Sequence, residues 1–419
     1  MKIKVINKTY DEVMKLKPKK NKKPKKPNIF WRTLIKIISA VNLKFVKFKA
    51  NKAILKQLPK KEPCLFLMNH SSFIDLQIAE HLLYPRVFNI VCTNDGFVGK
   101  NWLMRQIGCI NTPKFVIDPT LVRKLLSLVK KKSSILMYPE ASYSFDGTKT
   151  PLPYSIAKLI RLLNINVVTI ITNGAFLIQP LYNELKKRNV SISANIKILI
   201  KKEDIPNLTD QDIYDILDNE FSFDNFKIQQ EQKIKICEIT RAEGLNKVLY
   251  KCPHCLEEGK MSSSKTQIKC ENCGVIYELD EYGNLKSINS NTIFNHIPNW
   301  YMWEREKVKE ELINQTYLLD VDCEIYMMID TYKLYNIGTG HLIHNNDGFI
   351  LTNNDTLEFK LSPLQSYSLY SDFYWYQIAD VICIGDHKKQ FYCFPKGVSD
   401  VVAKTRLATE ELYKLTKSK

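Results

Sequence analysis

Between residues 62 and 199, short apolar runs alternate with stretches whose apolar residues recur at helical spacing. Runs 63–68, 87–92, 134–138, 166–172 and 193–200 have strand length and few polar interruptions, which predicts strands buried on both faces. Segments 73–83, 121–131 and 154–163 carry the 3.6-residue period and predict helices between them. Strand and helix in alternation predict an α/β layout with a mostly parallel sheet. Beyond residue 317 the pattern shortens: strand-like runs at 325–329, 341–344, 349–352, 357–361, 381–384 and 390–394 are separated by turn signals such as Asn346-Asp347-Gly348 and Gly338-Thr339-Gly340. A helical segment at 399–415 follows, so a β-rich, barrel-like domain closed by a C-terminal helix is expected there.

The segment 29–48 has a different character. Arg32, Lys36, Ser39 and Lys47 form a narrow polar stripe, with Trp31, Leu34, Ile35, Ile38, Leu43, Phe45 and Val46 around the rest. This predicts an amphipathic helix with a turn near Asn42. Before it lies a Lys/Pro run, 15–26, expected to be a flexible, solvated basic arm. A basic arm beside a helix bearing Trp, Phe and Leu suits an interfacial anchor, since apolar area enters the headgroup boundary while cations meet anionic lipid. The plainer alternative is a helix packed on its own domain.

Charge sharpens this picture. The net charge is +17, but residues 1–61 hold 20 Lys/Arg against 2 Asp/Glu, leaving 41 against 42 for the remainder. The excess sits at one end, which argues against a nucleic-acid partner and for an anionic surface. No run of about 18 uninterrupted apolar residues exists, and Lys36, Lys44 and Lys47 break the one candidate signal-peptide core, so neither a spanning helix nor a cleaved leader is expected. Eleven cysteines, four of them in two C-x-x-C pairs, fit a reducing, cytoplasmic compartment and a metal site better than a disulfide framework.

Asn69-His70-Ser71-Ser72-Phe73-Ile74-Asp75 follows the first buried run and opens a helix. That junction lies at the carboxyl edge of the sheet, where open α/β folds put their sites. An imidazole there is suited to taking a proton from a hydroxyl, and a carboxylate five residues on is close enough to fix its tautomer. The competing reading makes Ser72 an N-cap and Asp75 the carboxylate of a capping box. Tyr138-Pro139-Glu140-Ala141-Ser142-Tyr143-Ser144 follows another buried run and is expected at the same edge. With these motifs, residues 61–200 resemble the glycerolipid acyltransferase family, whose best-known members are the 1-acylglycerol-3-phosphate acyltransferases. Gly96 to Gly99, Trp102, Arg105, Gly108 and Val116-Ile117-Asp118 look like its second sequence block.

That resemblance implies a His general base at His70, its partner at Asp75, an acceptor pocket lined by Glu140 with Ser142 and Tyr143, and an acyl thioester donor, acyl-CoA or acyl-carrier protein. The expected activity is O-acyl transfer to a lysophospholipid-type acceptor, foremost 1-acylglycerol-3-phosphate, in phospholipid synthesis, by a peripheral protein at the inner face of the cell membrane. The chain departs from the family at Pro119, where an Arg usually stands, at Ala141 and Tyr143, which replace Gly and Arg, and at 167–170, which lacks the fourth block's prolines. The missing arginines are those expected to grip an acceptor phosphate bidentately. Arg105 and Lys100 are the leading replacements, with Lys114 and Arg123 as further cations nearby. A non-catalytic lipid-binding adaptor built on a degenerate acyltransferase domain is the alternative.

Cys252-Pro-His-Cys255 and Cys270-Glu-Asn-Cys273, fourteen residues apart, predict a zinc ribbon. Each C-x-x-C brings two thiolates to a tetrahedral ion, and four such ligands leave no open position, so the Zn2+ is expected to be structural. His254 is expected to point away. The organisation expected is therefore a basic arm (1–28), membrane-interface helices (29–60), an acyltransferase domain (61–248), a zinc ribbon (249–287) and a β-rich domain (317–416) that resembles a pleckstrin-homology or GRAM-type barrel by strand count and terminal helix.

Overall fold

A computed structural model describes residues 3–19, 22–72, 74–114, 118–354, 356–398 and 400–418. Phe73, Val116, Ile117 and Ser399, each part of an expected element or motif, lie outside the described residues. The central sheet has seven strands in the order Lys49–Ala50, Ser193–Ile200, Asn166–Asn173, Cys64–Met68, Ser134–Met137, Phe88–Thr93 and Cys109–Thr112. All neighbours are parallel except Ser193–Ile200, which runs antiparallel to Asn166–Asn173. Cys64–Met68 is buried at every position because side chains alternate between two covered faces. Phe66 and Met68 join one core, with Ile78, Ala79 and Leu82 of the helix Asp75–Leu83; Leu65 and Leu67 join the other, with Leu125, Leu128, Ile156 and Ile160 of Pro119–Lys130 and Ser155–Leu163. The two edge strands, Lys49–Ala50 and Cys109–Thr112, are the ones here that the apolar pattern missed, being too short to show a period.

A four-stranded antiparallel sheet, Met261–Ser264 to Leu285–Ser287, carries the cysteine pairs. Trp300 Nε1 donates to the carbonyl of Lys251 at 3.0 Å, and the Lys251 N–H donates to Glu304 at 2.8 Å, which seats this ribbon on the helix Ile297–Ile313. The C-terminal antiparallel sheet runs Glu358–Leu361, Gly348–Asn353, Leu334–Asn345, Leu319–Met328, Gln390–Pro395, Ala379–Gly385, Tyr370–Trp375, and the helix Val401–Lys417 packs beside it. It abuts the central domain: Asn94 bonds Gln390 at 3.2 Å and Asn101 bonds Thr331 at 2.8 Å.

Two expectations about the N-terminal region are corrected. Residues before 28 are not a detached arm. Val5–Asn7 adds as a parallel strand to Leu334–Asn345, Tyr10 and Val13 are buried, and further on the carbonyls of Lys22, Lys23 and Lys25 accept from Arg105 and Asn89. The alternating apolar residues ahead of the Lys/Pro run supply the burial that the run itself lacks. Ile29–Phe45 is one helix with no break at Asn42, and it packs in the opposite sense from a soluble amphipathic helix. Its polar stripe faces inward: Arg32 donates to the carbonyls of Pro85 and Arg86 at 2.9 and 2.7 Å, Lys36 meets His81 Nδ1 at 2.9 Å, and Ser39 is buried. Ile29, Phe30, Ile37, Ile38, Val41 and Phe45 face out.

Candidate active site

Parallel pairing fixes the site's geometry before any side chain is considered. Leu67 is in register with Met137, so three residues on from each, His70 and Glu140 leave the sheet at the same level and on adjacent strands. Asn69, fully buried, secures the first exit: its amide donates to Thr172 O at 3.0 Å and accepts from Thr172 N at 2.8 Å on the other neighbouring strand.

Asp75 begins the following helix and is 1% exposed. Its Oδ2 accepts from the backbone N–H groups of Ser71 and Ser72 at 2.8 and 3.0 Å and meets His70 Nδ1 at 3.1 Å. A carboxylate only accepts, so this contact puts the ring proton on Nδ1 and leaves the Nε2 lone pair free. Ser72 does not cap the helix; its Oγ takes only a 3.4 Å contact from Ile74 N. The carboxylate of the competing capping-box reading is thus turned back on the loop, where it orients the histidine.

Glu140 does not line an open pocket. It is 1% exposed, its Oε2 accepts from His70 N at 2.9 Å, and its Oε1 accepts from Thr150 N at 2.9 Å. Burial raises its pKa to about 7, against the lowering effect of those two backbone donors. Its oxygens are used to tie the His70 loop to its own turn. That turn passes through Ala141 at φ +56°, a left-handed position that an L side chain adopts at a cost of roughly 1 kcal/mol. Beyond it the Tyr143 ring packs on the His70 ring at 4.1 Å between centroids, tilted by 33°, and Tyr138 stacks on it at 4.2 Å, so the imidazole lies between two aromatic rings.

Other expected binding residues lie elsewhere. Ser142 Oγ accepts from Arg406 at 2.7 Å, Arg105 gives both terminal nitrogens to the carbonyls of Lys22 and Lys23 at 3.3 Å, and Lys100 lies 5.8 Å from the centre of the Tyr376 ring. Arg105 is drawn off because the basic segment, expected to be free, runs past it. Lys114 is buried against Asp95 at 3.4 Å and over the Tyr370 ring. Sequence spacing gave no signal for Arg406 or Thr172, which lie 264 and 103 residues from Ser142 and Asn69, the residues they hold, nor for Thr150, ten residues beyond Glu140.

Residues 49–173 match the sequence model of the Acyltransferase family. That match, with the relatives below, supports a place in the acyltransferase family for this segment. Over 180 residues, 41% of this chain, the protein is 23% identical to a chloroplastic 1-acyl-sn-glycerol-3-phosphate acyltransferase of Brassica napus and 23% identical to one of Arabidopsis thaliana. The chain spans about half the length of these curated relatives, 50% and 48%. The crystal structure of the 1-acyl-sn-glycerophosphate acyltransferase of Thermotoga maritima aligns with a TM-score of 0.38 and 12% identity, covering 45% of this chain and 76% of that one. His70, Asp75 and Glu140 all fall inside the matched residues. Arg406 lies far outside them.

The cysteine group is a second, separate centre. Cys252, Cys255, Cys270 and Cys273 have sulfurs all within 4.8 Å of one another, with 3.7 and 3.6 Å across the two pairs. Tetrahedral thiolates about 2.3 Å from one ion stand roughly 3.8 Å apart, so the four fit a single metal ion. His254 turns away to meet the Tyr277 hydroxyl at 3.0 Å.

Proposed function

We propose that this protein transfers a fatty acyl group from a thioester donor, acyl-CoA or acyl-carrier protein, to the free hydroxyl of a lysophospholipid-type acceptor, foremost 1-acylglycerol-3-phosphate, at a membrane surface. The observation that carries the reading is the His70–Asp75 contact, with the carboxylate pinned by two backbone N–H groups. His70 Nε2 takes the proton of the acceptor hydroxyl as the oxygen attacks the thioester carbonyl, and the same proton then passes to the departing thiolate. Asp75 stabilises the imidazolium between those steps. No enzyme nucleophile is needed. Glu140 serves this chemistry by fixing the His70 backbone.

Membrane attachment is carried by the outward apolar face of Ile29–Phe45, together with Trp102, which is 63% exposed and meets Trp31 edge-on at 5.7 Å. No helix among the described residues is long and apolar enough to cross a membrane, which suits a helix lying in the interface, and a setting at the cytoplasmic face of the membrane follows from the basic flank. The four cysteines hold a structural Zn2+ that takes no part in transfer. A lipid-binding adaptor is the second reading, favoured by the engagement of Arg105 and Lys114 away from the His70 edge.

Purified protein presented with acyl-CoA and a panel of lysophospholipids decides between them. Wild type should consume thioester, and His70→Ala should reduce the rate about 100-fold or more while keeping its melting temperature. Equal rates in the two proteins would sink the general-base assignment, and no consumption by either, with lipid still bound, would favour the adaptor.

A further inference from the structure

We propose that Arg406, on the C-terminal helix, is a positioning residue for the imidazole of His70, so that the β-rich C-terminal region completes the acyltransferase site. The proposal rests on the reading of His70 as the base. It begins from the turn 138–145, whose Tyr143 ring covers one face of His70 and whose backbone has no regular structure to hold it. Glu140 anchors its beginning. What anchors its middle is Arg406, 264 residues further along the chain from Ser142.

Arg406 is 2% exposed. One terminal nitrogen donates to Ser142 Oγ at 2.7 Å, the other to the carbonyl of Tyr143 at 2.9 Å, and Nε meets Glu410 Oε1 at 3.3 Å. Its guanidinium also lies 4.5 Å from the centre of the Phe145 ring, which itself stacks on Phe373 of the C-terminal sheet. With these donors engaged, the side chain has little left to offer a substrate, so its effect must pass through the turn. The support is itself supported. Glu410 accepts from Arg305 at 2.7 Å and from Ser368 at 2.7 Å, so a buried Arg305–Glu410–Arg406 chain links two helices to the turn. Burying three charges is expensive unless their geometry is satisfied, as it is here.

The guanidinium shape matters. Only a planar fork bridges Ser142 Oγ and Tyr143 O while its third nitrogen holds Glu410; a lysine ammonium keeps the charge and loses the bridge. If the fork is lost, Tyr143 is released from its carbonyl side and the imidazole loses one of its two flanking rings. A general base displaced by about 1 Å costs on the order of 100-fold in rate.

Two readouts on the full-length protein test this. The first is the His70 ring carbon-bound proton, assigned by its disappearance in His70→Ala. Between two aromatic rings it should resonate upfield of a free imidazole, and in Arg406→Lys and Ser142→Ala it should move toward the free value. The second is thioester transfer, where Arg406→Lys should lower kcat about ten-fold or more with KM for the donor within about two-fold. Should Arg406→Lys fail to fold, Ser142→Ala, which removes one bond of the fork, carries both readouts. An unchanged His70 resonance in a folded variant overturns the proposal, as does an unchanged kcat. Wild-type transfer by His70→Ala would instead overturn the general-base reading and leave the resonance to decide the clamp.

Discussion

Glu140 is a carboxyl group that the fold holds near neutrality while asking it to accept two backbone donors. Its pKa is raised to about 7 by burial, so the folded state binds its proton more tightly than the unfolded chain does. The stability that Glu140 contributes is therefore full below the ordinary carboxyl value of about 4.3 and is lost as pH rises to about 7. Half-buried His81 and buried His344, lowered to about 4 and about 3, push the opposite way, so the difference between wild type and Glu140→Gln is the useful quantity. The glutamine keeps one acceptor and sets an NH2 against the other N–H, at a cost of about 1–3 kcal/mol. Wild type should exceed Glu140→Gln in melting temperature by the widest margin near pH 5 and the narrowest above pH 7; a margin that widens with pH would show that the carboxyl is ionised in the fold. At this scale His70, Asp75 and Glu140 were legible because one sheet register carries the first and last to the same edge. Arg406 was not, since no local pattern marks a residue whose partners lie 264 positions away.

Among the elements, the helix Ile29–Phe45 shows where periodicity stops informing. The pattern marks the polar stripe but neither the way it faces nor the division of the apolar residues: Arg32 and Lys36 find carbonyl and imidazole partners on the inner side, where Leu43 is buried and Trp31 and Ile35 pack with them, while Leu34, Ile38 and Phe45 stay outside. The outcome is an apolar face whose burial is worth about 1.5–3 kcal/mol for each large side chain that enters a lipid interface. Ile37→Glu with Ile38→Glu, both on that face, should abolish sedimentation with anionic phospholipid vesicles at physiological salt while leaving the melting temperature within a few degrees. Retained sedimentation would move the attachment site elsewhere. The strands of the central sheet were legible for the opposite reason: with both faces covered, their apolar runs have no second interpretation at that length.

For the molecule as a whole, the cysteine ribbon is a joint as well as a module. It docks on Ile297–Ile313 through Lys251, Trp300 and Glu304, and the same helix supplies Arg305 to Glu410. Removing an ion held by the four thiols should therefore be felt beyond the ribbon. The purified protein is expected to contain one zinc per chain, and a strong chelator should lower its melting temperature by several degrees and its acyl transfer in step. A chelated protein that melts and reacts unchanged would leave the four thiols without a metal-dependent role. The spacing of the two pairs made this centre legible from the sequence; its docking onto the helix was not, because that depends on which surfaces of separate modules face each other.

One further consequence concerns how the protein is cut and tagged. Because Val5–Asn7 pairs with Leu334–Asn345 while the carbonyls of Lys22, Lys23 and Lys25 meet Arg105 and Asn89, the N-terminal segment ties the far sheet to the central one and adds a strand to the former. Trimming that leader to probe its charge would unpick a β-ladder at the same stroke. Replacing the lysines between residues 15 and 26 with Gln separates the two effects, and an affinity handle is better spliced into an exposed loop than placed just ahead of Val5.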